Sequence, residues 1–272
     1  MTSSSSTSSD GYRLGRSYLS ASRLASVISK RQDRMEATIH YVWPTWQPER
    51  RGLPNLYETS PEVNGLDIQL HGFDISNALF PNTSWLPKNI ILSTSNLLEE
   101  PPKSLHGQFD AVHLRLVLTL IRSGSPKPII QHVKMLLKPG GYLQWDEADP
   151  FNHYDVLIPI SETDAPNMMA AFQNLKDLAD WSWIAKLPQT LLEEGFHDAI
   201  QYSNEPRPEM FKSWTYLDLC TSEEISHHWY GEDDEHAKEW RGYIPKAYEE
   251  ADASNGAVLR VRPTVTIARK PL

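Results

Sequence analysis

The clearest pattern in the chain is a series of short apolar segments in its central part. Asp67–Phe73 alternates apolar and polar residues and runs into Asp74-Ile75-Ser76, which predicts a strand followed by a turn. Asn89–Ser93 predicts a second strand. Phe109–Leu120 begins as a third, and its continuous apolar character is typical of a parallel sheet that is covered on both faces. Tyr142–Trp145 predicts the next strand in the series.

Helical spacing follows these strands and dominates the second half of the chain. Pro128–Leu137 predicts a helix that ends at Lys138–Gly141, where a basic residue, a proline and two glycines favour a cap and a turn. Met168–Ile184 and Leu187–Glu194 predict two more helices, and the pattern of Pro208–Glu250 is largely helical. Two short strands are also predicted, over Asp198–Tyr202 and Thr264–Arg269.

Strands that alternate with helices at this spacing indicate right-handed crossover units and a parallel sheet. The predicted fold class is therefore α/β, with a doubly wound, mostly parallel sheet and a helical insertion before the last strand. Tyr18, Leu24 and Val27 recur at helical spacing and predict a helical N-terminal cap. Residues 1–10 are nearly all Ser and Thr and predict a disordered tail, which leaves 11–272 as one domain.

Composition narrows the classes of function. The single cysteine, Cys220, excludes a disulfide framework and a cysteine zinc site, and it favours a reducing, cytoplasmic location. The net charge of -9 opposes binding to nucleic acid. Ala111–Ile121 is the longest apolar stretch and is too short to cross a bilayer, so no membrane partner is expected. The acidic and histidine residues between His227 and His236 match no metal site and predict a solvated face.

Four stretches carry a resemblance when they are taken together and in order. They are Gly11–Arg16 with Ser20–Leu24, Leu70–Ser76 followed by Trp85–Pro87, Phe109–Leu116, and Leu136–Glu147. This ordered set resembles the fungal class I S-adenosylmethionine-dependent methyltransferases of secondary-metabolite clusters. The resemblance implies a Rossmann-like class I methyltransferase fold, S-adenosyl-L-methionine as cofactor, and a small aromatic metabolite that is methylated on oxygen or nitrogen.

The resemblance also implies residues that bind the cofactor. Asp74, at the end of a predicted strand, would accept hydrogen bonds from the ribose hydroxyls; the alternative is a turn aspartate that caps the next helix. Asn96 takes the place of an aspartate that faces the adenine amino group, although it is equally an ordinary loop asparagine. Arg16 would clamp a carboxylate with its planar guanidinium, and a surface ion pair is the alternative.

Three residues after the glycine pair are candidates for the substrate pocket. Trp145, Asp146 and Glu147 come at the carboxyl end of a strand, the edge at which open α/β sheets bind ligands. The indole can stack on an aromatic acceptor, and one carboxylate can orient a hydroxyl or amine nucleophile. The competing interpretation is a packed tryptophan with two solvated acids. Methyl transfer depends mostly on positioning, so the sequence predicts no dedicated catalytic residue.

One expected feature is missing from the sequence. The resemblance requires a loop similar to A-D-V-G/A-T-G-T-G before Leu70, yet Gly52 is the only glycine between Arg31 and Asn64. Arg31–Leu56 shows no clear pattern of helix or strand, so the central strand is in doubt as well. This favours a second hypothesis, a cofactor-deficient, methyltransferase-like accessory protein that binds a pathway protein.

The genetic code offers an origin for the missing loop. The codons of Trp43–Arg50, regrouped by taking the last base of each codon with the first two of the next, permit A-D-V-A-T-G-T. The sequence therefore predicts that the gene encodes the loop in a displaced reading frame. The final glycine of the loop is not recovered, so the frame must return through a second discrepancy near Leu56. The alternative is a coincidence that the degeneracy of the code allows.

Overall fold

The structure, a computed structural model, describes residues 37–41, 62–63, 66–78, 80–149, 154–157, 165–203, 208–228, 230, 233–253 and 256–272. The strands in this part of the chain are β1 (Ala37–Tyr41), β2 (Glu62–Val63), β3 (Leu66–Asp74), β4 (Ile90–Thr94), β5 (Phe109–Arg115), β6 (Leu137–Ala148), β7 (Tyr154–Leu157), β8 (His197–Ser203), β9 (Val258–Val261) and β10 (Pro263–Arg269). The helices are α1 (Lys127–Leu136), α2 (Pro166–Asp177), α3 (Ser182–Glu193), α4 (Phe211–His228) and α5 (Glu235–Asp252).

The main sheet has the strand order β4-β3-β1-β5-β6-β10-β8, and the short β2 pairs with the start of β3. The five strands from β4 to β6 are parallel, whereas β10 runs antiparallel to both of its neighbours. From β1 the chain builds outwards first to β3 and β4, then in the other direction to β5 and β6. The order reverses at β1, which is the mark of a doubly wound sheet and confirms the predicted fold class.

The strand β1 corrects the interpretation of the segment from Arg31 to Leu56. The sequence pattern shows no clear strand there, but Ala37–Tyr41 lies at the centre of the sheet, where Ile39 pairs with Leu70 on one side and Ala111 on the other. Five residues are too few to show a clear alternation of apolar and polar positions. A strand with a ladder on each side is held by its neighbours, so tertiary pairing decides its conformation.

Two boundaries also differ from the prediction. The cap and turn expected at Lys138–Gly141 lie inside β6, as an irregularity between the pairs Phe109 with Leu137 and Ala111 with Tyr142. Gly140 provides the bend, because its φ of +75° is a left-handed conformation that only glycine adopts readily. Its N–H donates to the carbonyls of Lys270 and Pro271, so the bend pairs with the chain beyond β10.

The helix predicted over Met168–Ile184 is in fact two helices. It stops at Asp177, and α3 begins at Ser182, whose N–H donates to the Asp180 carboxylate over 2.9 Å. The Trp181 indole donates to the Lys176 carbonyl over 2.9 Å, and this bond closes the end of α2. Side-chain hydrogen bonds of this kind compete with the helical ladder, which explains why the apolar spacing alone missed the break.

Two hydrophobic clusters fill the molecule. The first joins the sheet to α1 and α3, and includes Phe109, Leu114 and Trp145. The second joins α2, α4 and α5 to β9, and includes Phe172 and Trp240. These three helices with the β7–β9 pair are called the helical cap below. It contains the helical insertion predicted before the last strand, since α4 and α5 lie between β8 and β10. The predicted N-terminal helix, with Tyr18 and Val27, lies outside the described residues.

Candidate functional site

The carboxyl edge of the parallel strands is the candidate site. In open α/β sheets, ligands bind outside this edge at the point where the strand order reverses. Here the reversal lies at β1, between β3 and β5. The edge is therefore flanked by Asp74, the last residue of β3, and by the residues that end β5 and β6.

Asp74 is half-buried and its carboxylate is already part of a turn. Oδ1 accepts the N–H of Ser76 over 3.0 Å, and the carbonyl of Asp74 accepts the N–H of Ser95 over 2.9 Å. Burial raises the pKa of this carboxyl above its usual value, while the N–H groups of Ser76 and Ile75 oppose the rise. Asp74 thus forms a local turn but caps no helix, because the next helical turn, Thr83–Trp85, is capped by Asn82. Oδ2 offers further lone pairs to a hydroxyl donor.

Asn96 forms the turn after β4. Its Oδ1 accepts the N–H of Leu98 over 3.1 Å, and its Nδ2 donates to Oε1 of Glu99 over 2.8 Å. These bonds are those of an ordinary turn asparagine, and they fix the orientation of the amide. Contact with an adenine amino group stays a prediction. Arg16, the third predicted cofactor residue, lies outside the described residues.

Asp146 is the centre of a buried polar group that spans β5 and β6. Its Oδ2 lies 3.3 Å from Nε2 of His113, and its Oδ1 accepts Nε2–H of Gln144 over 2.9 Å. Arg115 stands opposite Asp146 in the strand register. Burial alone would raise the pKa of Asp146, but the nearby His113 and Arg115, together with the hydrogen bonds, hold it below its usual value. Asp146 is therefore an ionised carboxylate at neutral pH.

Glu147 lies on the opposite face of β6 and differs from Asp146 in its state of ionisation. Its Oε1 accepts two hydrogen bonds, from Nε1 of Trp145 over 3.0 Å and from the N–H of Val117 over 2.9 Å. Burial raises its pKa to about 8, and the neighbouring charge of Asp146 adds to the rise. The side chain is consequently neutral at pH 7. The alternative of two solvated acids is wrong, because both Asp146 and Glu147 are buried.

Trp145 is fully buried in the first cluster. Its ring centre lies 5.6 Å from that of Trp183, with the two planes tilted by 53°. The side chain therefore packs in the core and presents its N–H to Glu147. Stacking of this indole on an aromatic acceptor stays a prediction that would require the ring to become exposed.

Sequence reasoning gave no role to His113 and Arg115, which the structure brings to Asp146. A signal for them was present: alternate residues of neighbouring parallel strands share a face, so His113 and Arg115 lie beside Gln144 and Asp146. No comparable signal marks Leu116, whose positive φ depends on its surroundings.

None of the helices in the described ranges has the length and apolar character needed to span a bilayer. No three His, Cys, Asp or Glu side chains in those ranges are grouped so as to hold a metal ion.

Stretches of the chain are similar in sequence to three curated proteins of fungi. The methyltransferase grgD of Penicillium sp is 36% identical over 89 residues, 33% of this chain and 30% of that protein. The N-methyltransferase verN of Clonostachys rogersoniana is 33% identical over 78 residues, 29% of this chain and 27% of that protein. The N-methyltransferase tcpN of Claviceps purpurea is 29% identical over 121 residues, 44% and 40% of the two chains. Over these stretches the chain is similar to fungal methyltransferases.

The predicted resemblance is thus confirmed over the matched segments, although the chain spans less than half the length of these curated relatives. No protein-family model matches the sequence. Among solved structures, the cyclase SpnF matches with a TM-score of 0.49 and 18% identity, over 96% of this chain and 88% of that one. Haemonchus contortus phosphoethanolamine N-methyltransferase 2 matches with a TM-score of 0.46 and 13% identity, over 94% and 54%. At these TM-scores the likeness is coarse.

Proposed function

We propose that the protein is an S-adenosylmethionine-dependent methyltransferase that methylates oxygen or nitrogen of a small aromatic metabolite in fungal secondary metabolism. The observation that carries this proposal is the position of Asp74, which ends β3 at the edge where the strand order reverses. The similarity to fungal methyltransferases supports the reaction class. The names of two of these relatives specify N-methylation, whereas the atom methylated by this chain is left open.

The described residues fit part of the cofactor. Asp74 suits the ribose hydroxyls, since a half-buried carboxylate with lone pairs on Oδ2 accepts hydrogen bonds well. Asn96 would accept from the adenine amino group through the second lone pair of Oδ1. Arg16 would hold the methionine carboxylate. When bound, S-adenosylmethionine supplies an electrophilic methyl group.

The acceptor belongs at the carboxyl edge of β5 and β6. Asp146 is the acid suited to orient an acceptor hydroxyl or amine, because it is ionised and can accept a hydrogen bond. Glu147, which is neutral and faces the core, is not. The packed helical cap is an element able to exclude water from this edge, and positioning then supplies most of the rate enhancement.

A second candidate function is an accessory protein that no longer binds the cofactor and contacts a pathway protein. One observation favours it: residues 42–61, which follow the central strand β1, include a single glycine, Gly52. A glycine-rich turn normally lets the backbone approach the cofactor at this place.

We also infer that 11–272 act as one domain after a tail at 1–10, and that the protein works in the cytoplasm.

Isothermal titration calorimetry with S-adenosylmethionine separates the two functions. Binding, followed by transfer of a radiolabelled methyl group to a panel of phenols and anilines, supports the enzyme. A chain that is folded by circular dichroism but releases no heat of binding supports the accessory protein. The variant Asp74→Asn is the matched control, because it keeps the size of the side chain and removes its charge.

A further inference from the structure

The turn that follows β5 contains a strained residue. Leu116 has a φ of +50°, a left-handed conformation that costs a non-glycine residue about 1–2 kcal/mol. Such strain persists only where the surroundings determine the backbone, and it occurs most often at functional sites. Leu116 directly follows Arg115, the last residue of β5, so the strain lies at the candidate site itself.

Two hydrogen bonds from β6 hold this turn. The N–H of Leu116 donates to the carbonyl of Asp146 over 2.9 Å, and the N–H of Val117 donates to Oε1 of Glu147 over 2.9 Å. The first bond continues the strand ladder. In the second bond the acceptor is a side chain, and the donor is the first N–H after the strained residue. Trp145 donates to the same oxygen and fixes its position.

The turn also joins the two hydrophobic clusters. Leu116 is partly buried and packs against both the sheet cluster and the cluster of the helical cap. Val117 and Leu118 are buried in the sheet cluster. The position of this turn therefore sets how the helical cap meets the carboxyl edge, where Asp146 lies.

We propose that Glu147 is a positioning residue for the methyl acceptor: it holds the strained Leu116–Val117 turn, and through that turn it sets the space between Asp146 and the helical cap. The proposal rests on the function proposed above. Glu147 acts through the turn and touches no reacting atom. The role needs an acceptor oxygen and carries no requirement for a charge.

Two substitutions of similar size separate these requirements. Glu147→Gln keeps an oxygen that accepts from Val117 and Trp145, and Glu147→Met removes it without leaving a large cavity. Gln201→Ala is the control, since it also removes two hydrogen bonds, to Ile184 and Thr266, but does so on β8, two strands away from β6. The three variants are compared with the wild-type full chain.

The measurements are KM and kcat for the best phenol or aniline of the panel, the Kd of S-adenosylhomocysteine, and hydrogen exchange of the Val117 amide. Glu147→Met is expected to raise KM by about tenfold, because the bonds to Val117 and Trp145 that hold the turn are lost; the Kd should be unchanged and the exchange faster. Glu147→Gln restores wild-type values, and Gln201→Ala lowers stability without changing KM. An unchanged KM in Glu147→Met overturns the proposal.

A further variant covers the case in which Glu147→Met does not fold. Leu116→Gly keeps the turn, because glycine adopts a positive φ freely, but removes the side chain that contacts both clusters. It is expected to raise KM as well, and an unchanged KM counts against the proposal. If the wild type binds no S-adenosylhomocysteine, the proposed function fails. Exchange at Val117 then decides alone: equal rates in the Gln and Met variants overturn the role of Glu147.

Discussion

At the scale of the residue, two neighbouring acids on β6 differ in their state of ionisation, because successive side chains of a strand point to opposite faces of the sheet. Asp146 faces His113 and Gln144, which stabilise its anion, whereas Glu147 faces the core and is neutralised by burial. Sequence alone predicted that both acids stand at a strand end, but not which one is ionised. That difference depends on residues of β5 that are more than 25 positions away in the chain.

The charge state of Glu147 makes the stability of the protein depend on pH. In the folded state its pKa is raised from 4.5 to about 8, so between these values the unfolded chain loses a proton that the folded chain keeps. The free energy of unfolding should therefore fall as pH rises through this window. Urea unfolding of Glu147→Gln, which cannot titrate, should show a flatter profile between pH 5 and 8. Parallel profiles for both proteins would contradict the assignment.

Asp74 is the residue for which we propose the most direct contact with the cofactor. Asp74→Ala should weaken binding of S-adenosylmethionine by about 1–3 kcal/mol, because the ribose hydroxyls would lose a half-buried acceptor. Calorimetry measures the change. Asn96→Ala serves as the comparison, with a smaller loss expected since its amide is already engaged with Leu98 and Glu99. Equal affinity in Asp74→Ala and wild type would remove Asp74 from the site.

At the scale of the element, the carboxylate of Glu250 joins two helices of the cap. From α5 it accepts the N–H groups of Asn167 over 3.1 Å and Met168 over 2.7 Å, at the start of α2. N–H groups in the first turn of a helix have no carbonyl partner within the helix, so Glu250 supplies the missing acceptor. An anion at this end of the helix also interacts favourably with the helix dipole. Glu250→Ala should lower the free energy of unfolding by about 1–3 kcal/mol in urea titrations. Glu250→Gln should lose only part of that stability; an undiminished value in the Ala variant would refute this role.

The elements that sequence predicted well are those whose local pattern and pairing agree. β3, β4 and β10 were placed within one or two residues, because β3 and β10 alternate apolar and polar residues and β4 begins as a short apolar run. The central strand was missed for the opposite reason. Ala37–Tyr41 is short and is held by pairing with β3 and β5, which a local pattern does not reveal. The same holds for Asp74 and Asp146: their strand ends were visible, but their partners were not.

At the scale of the whole molecule, the position of β1 bears on the missing glycine-rich loop. β1 ends at Tyr41, so the codons for Trp43–Arg50 follow the central strand, where a cofactor loop belongs in this fold. We expect the transcript to encode A-D-V-A-T-G-T in the displaced frame. Sequencing tests this directly, and nucleotides that cannot spell the loop would end the idea. A frame-corrected chain should bind S-adenosylmethionine more tightly than the present one in calorimetry.

The position of β10 between β6 and β8 in the sheet determines when β8 can pair during synthesis of the chain. Within the described residues, β8 joins the sheet through β10 alone, yet residues 204–262 are synthesised between them. At roughly 5–20 residues per second, β8 therefore spends several seconds on the ribosome without its partner strand. Ile200 and Tyr202 on β8 stay 50% and 45% exposed even in the finished fold. The nascent chain thus carries an unpaired strand with two exposed apolar side chains, and its edges are open to pairing with other chains until residues 263–269 are made.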